Sequence, residues 1–506
     1  MTHYLTKTIT VLGFLIIPAL VAGQRNAQDA DIEIQMHSFE EAPCPFEATP
    51  EQLGQIRCGW VSVPEYREKP NGRTLRLAVA IVSSLSENPE PDPLVYIPGG
   101  PGTAGFHVAA SFLDSDFRNE RELIFYDPRG VGRSEPSVCP DLTTEWWNVS
   151  YFSGLNPEAI RGRKLALVEE CRREIDEQTI DLSQYNTKAN AHDLYLLRKA
   201  LGYEQINLWG RSYGSRVALE SMRMFPGHIR SVILDGPSPH QATKWTPDPE
   251  NFLDVLNRRL LNCETNPQCK SLLPDAGETF WNTFHQLQQD PWMIETDAGE
   301  TIYINGTAFA SAVYEALTRV QTSTMVPLMI QRFAGRDKRF ISHMLRRQAG
   351  NPEGRSWWVH LSVNCFEKPA NTNPESNVRS EPEIEILEEI GFGRDDHICD
   401  TLHPYRAKPA YLEPVASSIP VLILAGEYDP ATHRSYGVKA AETLSRSQLA
   451  EIPGAGHDSG FLFPCTRNLF EQFLEDPDLE LNMSCLESMA RPEYVTDPTG
   501  VFGSGN

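Results

Sequence analysis

The chain is poor in positive charge. Its 506 residues carry 45 Lys and Arg against 68 Asp and Glu, a formal net charge of −23. A surface of that sign repels phosphate backbones and anionic bilayers, which argues against nucleic-acid binding and electrostatic membrane docking. Long apolar runs are equally scarce. After residues 9–22 no stretch approaches the roughly 20 residues that a membrane-spanning helix needs. No fixed-period repeat and no long low-complexity tract occurs, which excludes solenoids and extended disordered tails. No group of Cys and His has the clustered spacing of a zinc site, and neither a metal nor an organic cofactor is expected.

What is present begins with residues 1–23, which read as an export signal. Lys7 is followed by "ITVLGFLIIPALVA", and Val21 and Gly23 are small enough for the cleavage positions. An uncleaved anchor is the alternative reading of the same stretch. Secretion or a periplasmic location follows, with no stable membrane insertion once the signal is removed. Ten cysteines fit an oxidising compartment. Sequence neighbours are the natural partners: Cys44–Cys58, Cys139–Cys171, Cys263–Cys269, Cys365–Cys399 and Cys465–Cys485. Asn148, Asn305 and Asn482 begin glycosylation-type triplets, meaningful only in a eukaryotic secretory route.

Apolar runs at 74–83, 94–97, 123–126, 206–209 and 231–234 read as strands, with helical spacing at 187–201 and 215–225. The rhythm stops after 236 and resumes with strands at 421–425 and 448–452 and a closing helix at 467–474. Strands alternating with helices imply an α/β fold, a mostly parallel sheet with helices on both faces. Residues 24–236 and 416–506 form its two parts. Residues 237–415 form a large, mainly helical insertion without an obvious strand ladder. An insertion after a strand end lies over the active face of such a sheet, so a lid is expected; a separate binding domain is the rival.

The chemistry centres on "WGRSYGS". Gly210-x-Ser212-x-Gly214 between a strand and a helix forces a sharp turn that exposes the serine oxygen, with helix amides aimed at the same spot. A serine needs a base, and in this layout an acid and then a histidine follow it in the chain. Asp429 and His457 each lie just past a strand and fill those places. Glu427 and Asp458 compete with Asp429 for the acid, and His433 suits a local contact with Asp429 better than a catalytic one. Oxyanion donors are expected from the Tyr213 amide and from Gly99 or Gly100 in "PGGPG". Asp127 and Arg129 of "DPRG" read as a buried ion pair that braces loops rather than as catalytic groups.

Together, "YIPGGPGTAG", "FYDPRGVGRSEP", "WGRSYGS", "AGEYDPATH" and "PGAGHDSG" resemble the exported tripeptidyl and prolyl aminopeptidases of the α/β-hydrolase fold, relatives of proline iminopeptidase. The match covers roughly 75–236 and 416–475. It implies a Ser212–His457–Asp429 triad, an oxyanion hole of Tyr213 and a Gly99 or Gly100 amide, and peptide substrates with a free N-terminus. It also implies lid carboxylates that receive the substrate amine, for which Glu367 of "SVNCFE" is the candidate. Pro98 stands where the intracellular iminopeptidases have His, so the number and kind of residues released stay open. An ester hydrolase with the same machinery is the alternative, and a non-catalytic binding protein on a hydrolase scaffold is a third reading.

Overall fold

The computed structural model describes residues 38–497 apart from 48, 70, 154, 243–246, 296–298, 300, 350–353, 368–381, 390–397, 458, 459 and 461. The proposed export signal lies outside the described residues. Nine strands make one sheet in the order β1-β2-β3-β5-β4-β6-β7-β10-β11. They are β1 (Phe39–Ala42), β2 (Ile56–Pro64), β3 (Thr74–Val82), β4 (Leu94–Ile97), β5 (Leu123–Tyr126), β6 (Ile206–Arg211), β7 (Ile229–Asp235), β10 (Val421–Gly426) and β11 (Ser447–Ile452). The first three pair antiparallel, as does β3 with β5, whereas β5, β4, β6, β7, β10 and β11 run parallel to one another.

The parallel strands β4, β5 and β10 are apolar along their whole length because helices cover both faces. "LVYI" of β4 and "VLILAG" of β10 are buried at every residue. One consequence places the functional site. Parallel strands all end at the same edge. The register pairs Ile97 with Gly210, Gly210 with Leu234 and Gly426 with Ile452. The loops after β4, β6, β7, β10 and β11 therefore converge, although they span residues 98 to 457.

Helix α1 (Thr187–Leu201) and helix α2 (Tyr213–Met224) flank β6. The segment between β7 and β10 holds α3 (Pro249–Thr265), α4 (Ala276–Gln289), α5 (Gly306–Leu317), α6 (Val326–Ala334) and α7 (Trp357–Glu367). Its first part builds a core of its own, with Phe252, Phe280, Phe309 and Phe333 fully or nearly buried. Its second part does not. Trp358, Leu361 and Val363 of α7 join the cluster that packs beneath the main sheet. The segment also contains a hairpin, β8 (Trp292–Glu295) with β9 (Thr301–Ile304), where no strand ladder was expected. Two further strands, β1 and β2, lie in the leader before residue 74 that carried no strand expectation. Helix α8 (Pro464–Glu475) follows the last strand.

Five disulfides join Cys44 to Cys58, Cys139 to Cys171, Cys263 to Cys269, Cys365 to Cys399 and Cys465 to Cys485. Such a set forms and persists outside a reducing cytoplasm, which makes this an extracytoplasmic protein. Among the described residues no helix is long and apolar enough to cross a membrane.

Two local expectations are corrected. Asp127 does not pair with Arg129. Its carboxylate accepts the amides of Gly105, Phe106 and Arg133 at 2.8–2.9 Å, so it ties the loop after β5 to the loop after β4. Arg129 instead makes a two-pronged bond to Asp193 of α1 at 2.6 and 2.7 Å. Closeness in "DPRG" misled, because in the loop after β5 the Asp127 side chain turns to the glycine-loop amides while that of Arg129 turns to α1. His433 likewise turns away from Asp429 and bonds Asp254 of α3 at 2.9 Å. Asn305, the head of one glycosylation-type triplet, is buried and caps α5 through the Ala308 amide.

Candidate active site

Ser212 stands between β6 and α2 with φ 55° and ψ −124°, a conformation that costs free energy for any residue with a side chain. The glycines on either side permit the turn. A methyl group on Gly214 would lie 2.1 Å from the Ile97 carbonyl oxygen, and one on Gly210 would lie 2.5 Å from that of Gly214. Strand, turn and helix thus meet backbone to backbone. The Ser212 amide donates to the Asp235 carbonyl at 2.8 Å, which fixes the turn to the end of β7.

Asp429 follows β10 and is 1% exposed. Its carboxylate accepts the Ala431 and Thr432 amides at 2.8 and 2.9 Å, the Thr432 hydroxyl at 2.7 Å, and His457 Nδ1–H at 2.8 Å. Thr432 Oγ1 also lies 3.1 Å from His457 Nδ1. Burial alone would raise the Asp429 carboxyl. The facing imidazole and the Thr432 bonds overcome it and hold the group below the ordinary carboxylate range. For His457, burial favours the neutral ring, yet the Asp429 charge prevails and raises its pKa. With Nδ1 occupied, Nε2 is the ring atom left for a reaction. The rival acid Glu427 is committed elsewhere, to Arg491 at 3.0 Å and the Gly454 amide at 2.8 Å. Asp458 lies outside the described residues.

Ser212, Tyr213, Gly99, Gly100, His457 and Glu367 all line one cavity of about 380 Å3. Asp429 sits behind His457. No hydrogen bond joins Ser212 Oγ to His457 among the described residues; catalytic hydrogen bonds often tighten only when substrate is bound. Gly99 is close to the serine, since a methyl there would lie 2.9 Å from Ser212 Cβ. Tyr213 opens α2, where the first amides have no intrahelical acceptor. Its hydroxyl accepts from Thr187 Oγ1 at 2.9 Å and Asn190 Nδ2 at 3.1 Å, which locks the start of α2 against α1.

Glu367, the last residue of α7, is 3% exposed. Oε1 accepts the Thr187 amide at 2.8 Å and the Tyr411 hydroxyl at 2.9 Å, while Oε2 faces Arg216 Nη1 at 3.3 Å. This carboxylate is thus built into the same network that anchors Tyr213. Two groups on or near this wall had no signal in the sequence. Glu315 near the end of α5 lines the cavity. Asp235, at the tip of β7, is pushed up by burial against the pull of Arg211 and His457. Thr432 was overlooked because a lone Thr in "DPATH" resembles any turn residue. Among the described residues no group of three His, Cys, Asp or Glu is arranged to hold a metal ion.

Residues 92–464 match the family model described as the alpha/beta hydrolase fold. The chain belongs to the α/β-hydrolase family. Within it, the tripeptidyl aminopeptidase of Streptomyces lividans is 32% identical over 190 residues, 36% of this chain. The chain spans only 35% of the length of that relative in the match. The serine protease Hip1 of Mycobacterium tuberculosis is 23% identical over 80% of this chain and 82% of its own. Carboxylesterase B of Mycobacterium tuberculosis is 25% identical over 82% of this chain and 83% of its own. Among solved structures, a proline iminopeptidase-related protein of Thermus thermophilus aligns over 84% of this chain and all of its own, at 19% identity and TM-score 0.36. This α/β hydrolase is therefore related to tripeptidyl aminopeptidases, serine proteases and carboxylesterases alike.

Proposed function

We propose that the protein is an exported serine exopeptidase that releases residues or short peptides from free N-termini. The 2.8 Å bond between Asp429 and His457, on the wall of the cavity that Ser212 lines, carries this reading. His457 Nε2 removes the Ser212 proton as Oγ attacks the scissile carbonyl. Asp429 holds the ring in the tautomer with Nδ1 protonated and stabilises the imidazolium. The amides of Tyr213 and of Gly99 or Gly100 receive the oxyanion. The imidazolium then protonates the leaving amine, and water activated by the same ring hydrolyses the acyl-enzyme. The lid insertion over the strand ends closes one end of the cleft, and Glu367, whose Oε2 also faces Arg216, is the carboxylate assigned to the substrate ammonium.

The relation to Carboxylesterase B supports a second reading, ester hydrolysis by the same groups, since acyl transfer is common to both. A mixed pool of peptides with free and acetylated N-termini, beside matched esters, separates the two. Mass spectrometry of the products is expected to show trimming from free N-termini only. Equal cleavage of blocked peptides, or turnover confined to esters, contradicts the exopeptidase reading.

A further inference from the structure

The walls of the cavity carry four arginines, and they are not equivalent. Arg216 pairs with Glu367, and Arg211 lies beside Asp235 and Tyr96. Arg319 and Arg355 have no ion pair among the described residues; Arg355 lies over the Trp147 ring, 5.6 Å from its centroid. In a chain with 68 acidic against 45 basic side chains, two guanidiniums that make no ion pair among the described residues stand out in a single cleft.

Their backbones are placed firmly at the reacting end. Arg319 adjoins Thr318, whose carbonyl accepts the His457 amide at 2.7 Å. Arg355 pairs as an isolated β-bridge with Thr103, on the glycine loop. Its neighbours hold that loop as well, through Ala104 N–H to the Gly354 carbonyl and Ser356 N–H to the Gly102 carbonyl, both 2.7 Å. One guanidinium thus extends from beside the histidine loop and the other from beside the oxyanion loop. Burial holds the Glu315 carboxyl above its ordinary range while Arg355 and Arg319 pull against it, so all three share one neighbourhood. Both arginines line the cavity yet stay exposed to solvent, so one carboxyl against two guanidiniums leaves a positive surplus that faces an anion entering the cleft and favours charge-assisted bonds to it.

We infer that Arg319 and Arg355 form a subsite for a substrate carboxylate next to the scissile bond. The group is supplied by an acidic side chain or by the C-terminus of a short peptide. This rests on the peptidase reading of the cleft, and the test keeps the two separable. Calorimetry on Ser212→Ala protein measures binding without turnover. The probes are free-amine tripeptides that differ only as Glu against Gln at each position, and as C-terminal acid against amide. At least one carboxylate form is expected to bind on the order of tenfold more tightly than its amide twin, as for a hydrogen bond to a charged group. Adding Arg319→Gln and Arg355→Gln should abolish that advantage, and adding Arg319→Lys and Arg355→Lys should retain most of it. The position that matters distinguishes side chain from terminus. Equal affinities for every pair, no binding of any carboxylate form, or an advantage that persists in the Gln double variant overturns the subsite. Cleavage of the same peptides by the unmodified protein reports separately on peptidase activity, so binding preference without cleavage contradicts only the broader reading.

Discussion

The floor and the wall of the cleft are built in opposite ways. The floor consists of short loops at the ends of parallel strands, each with a tight local signature: "GRSYG", "GEYDPAT" and "PGAGH". Their geometry is enforced over a few residues, by glycines against neighbouring backbone and by amides bonded to Asp429. The wall comes from α5, α7 and the segment around Arg355, whose helices are patterned to pack. Glu315, Arg319, Arg355 and Glu367 reach the cleft as by-products of that packing. A turn that chemistry requires is written locally, whereas a wall that selects substrates depends on how a long insertion folds back.

If the floor supplies reactivity and the wall selectivity, substitutions in the two should fail differently. Ser212→Ala is expected to remove turnover by roughly 10^6-fold, measured as kcat on any cleaved peptide or ester, with substrate binding retained. Asp429→Asn should lower kcat by about 10^4-fold, because the ring loses the partner that fixes its tautomer. Circular dichroism would verify that the variant still folds.

The pH profile of kcat/KM should show an acid limb above the ordinary imidazole value of about 6.5, because Asp429 raises the His457 pKa and only the neutral ring acts as base. Lowering the pH through that raised value removes activity. Asp429→Asn should move the limb downward. Stability follows a different rule. The depressed Asp429 carboxyl contributes above its unfolded pKa and loses its contribution as pH falls through the folded value. The raised His457 contributes below its unfolded pKa and loses its contribution as pH rises through the folded one. Thermal melts across pH would read both edges.

On the wall, Glu367→Gln is expected to raise KM for free-amine peptides by about tenfold with little change for esters, consistent with one charge-assisted bond. A matched loss of kcat on esters would instead indicate that it acts through Tyr213. The smallest effect belongs to Thr432→Val, which removes the hydroxyl bond to Asp429 but leaves both backbone amides in place. A fall in kcat of about fivefold fits the loss of one hydrogen bond of ~1 kcal/mol.

The same contrast explains how much was legible in the sequence. The strand at 94–97, the strand at 123–126 and the helix at 187–201 keep their expected bounds, since each pairs a strong periodic signal with clear turn residues. The elbow at Ser212 was readable because its two glycines have no alternative purpose at that spacing. Strand β1 was missed because a four-residue, partly exposed edge strand carries little apolar pattern, and β2 because Arg57, Gly59 and Ser62 interrupt its apolar run although most of it is buried. The hairpin β8–β9 alternates over only four residues a strand, too short to stand out among helices. Glu315 could not be singled out, because nothing in a helix's own spacing tells which polar face will meet a cleft, and Arg319, extended in the short link after α5, belongs to no periodic pattern.

Labelling with a fluorophosphonate, read by intact-protein and peptide mass spectrometry, bears most directly on the unity of Ser212, His457 and Asp429. One adduct per chain on Ser212 is predicted, with the labelling rate falling at least roughly a hundredfold in His457→Ala and following the His457 ionisation with pH. An adduct on another residue, or a rate indifferent to removal of the imidazole, would contradict it.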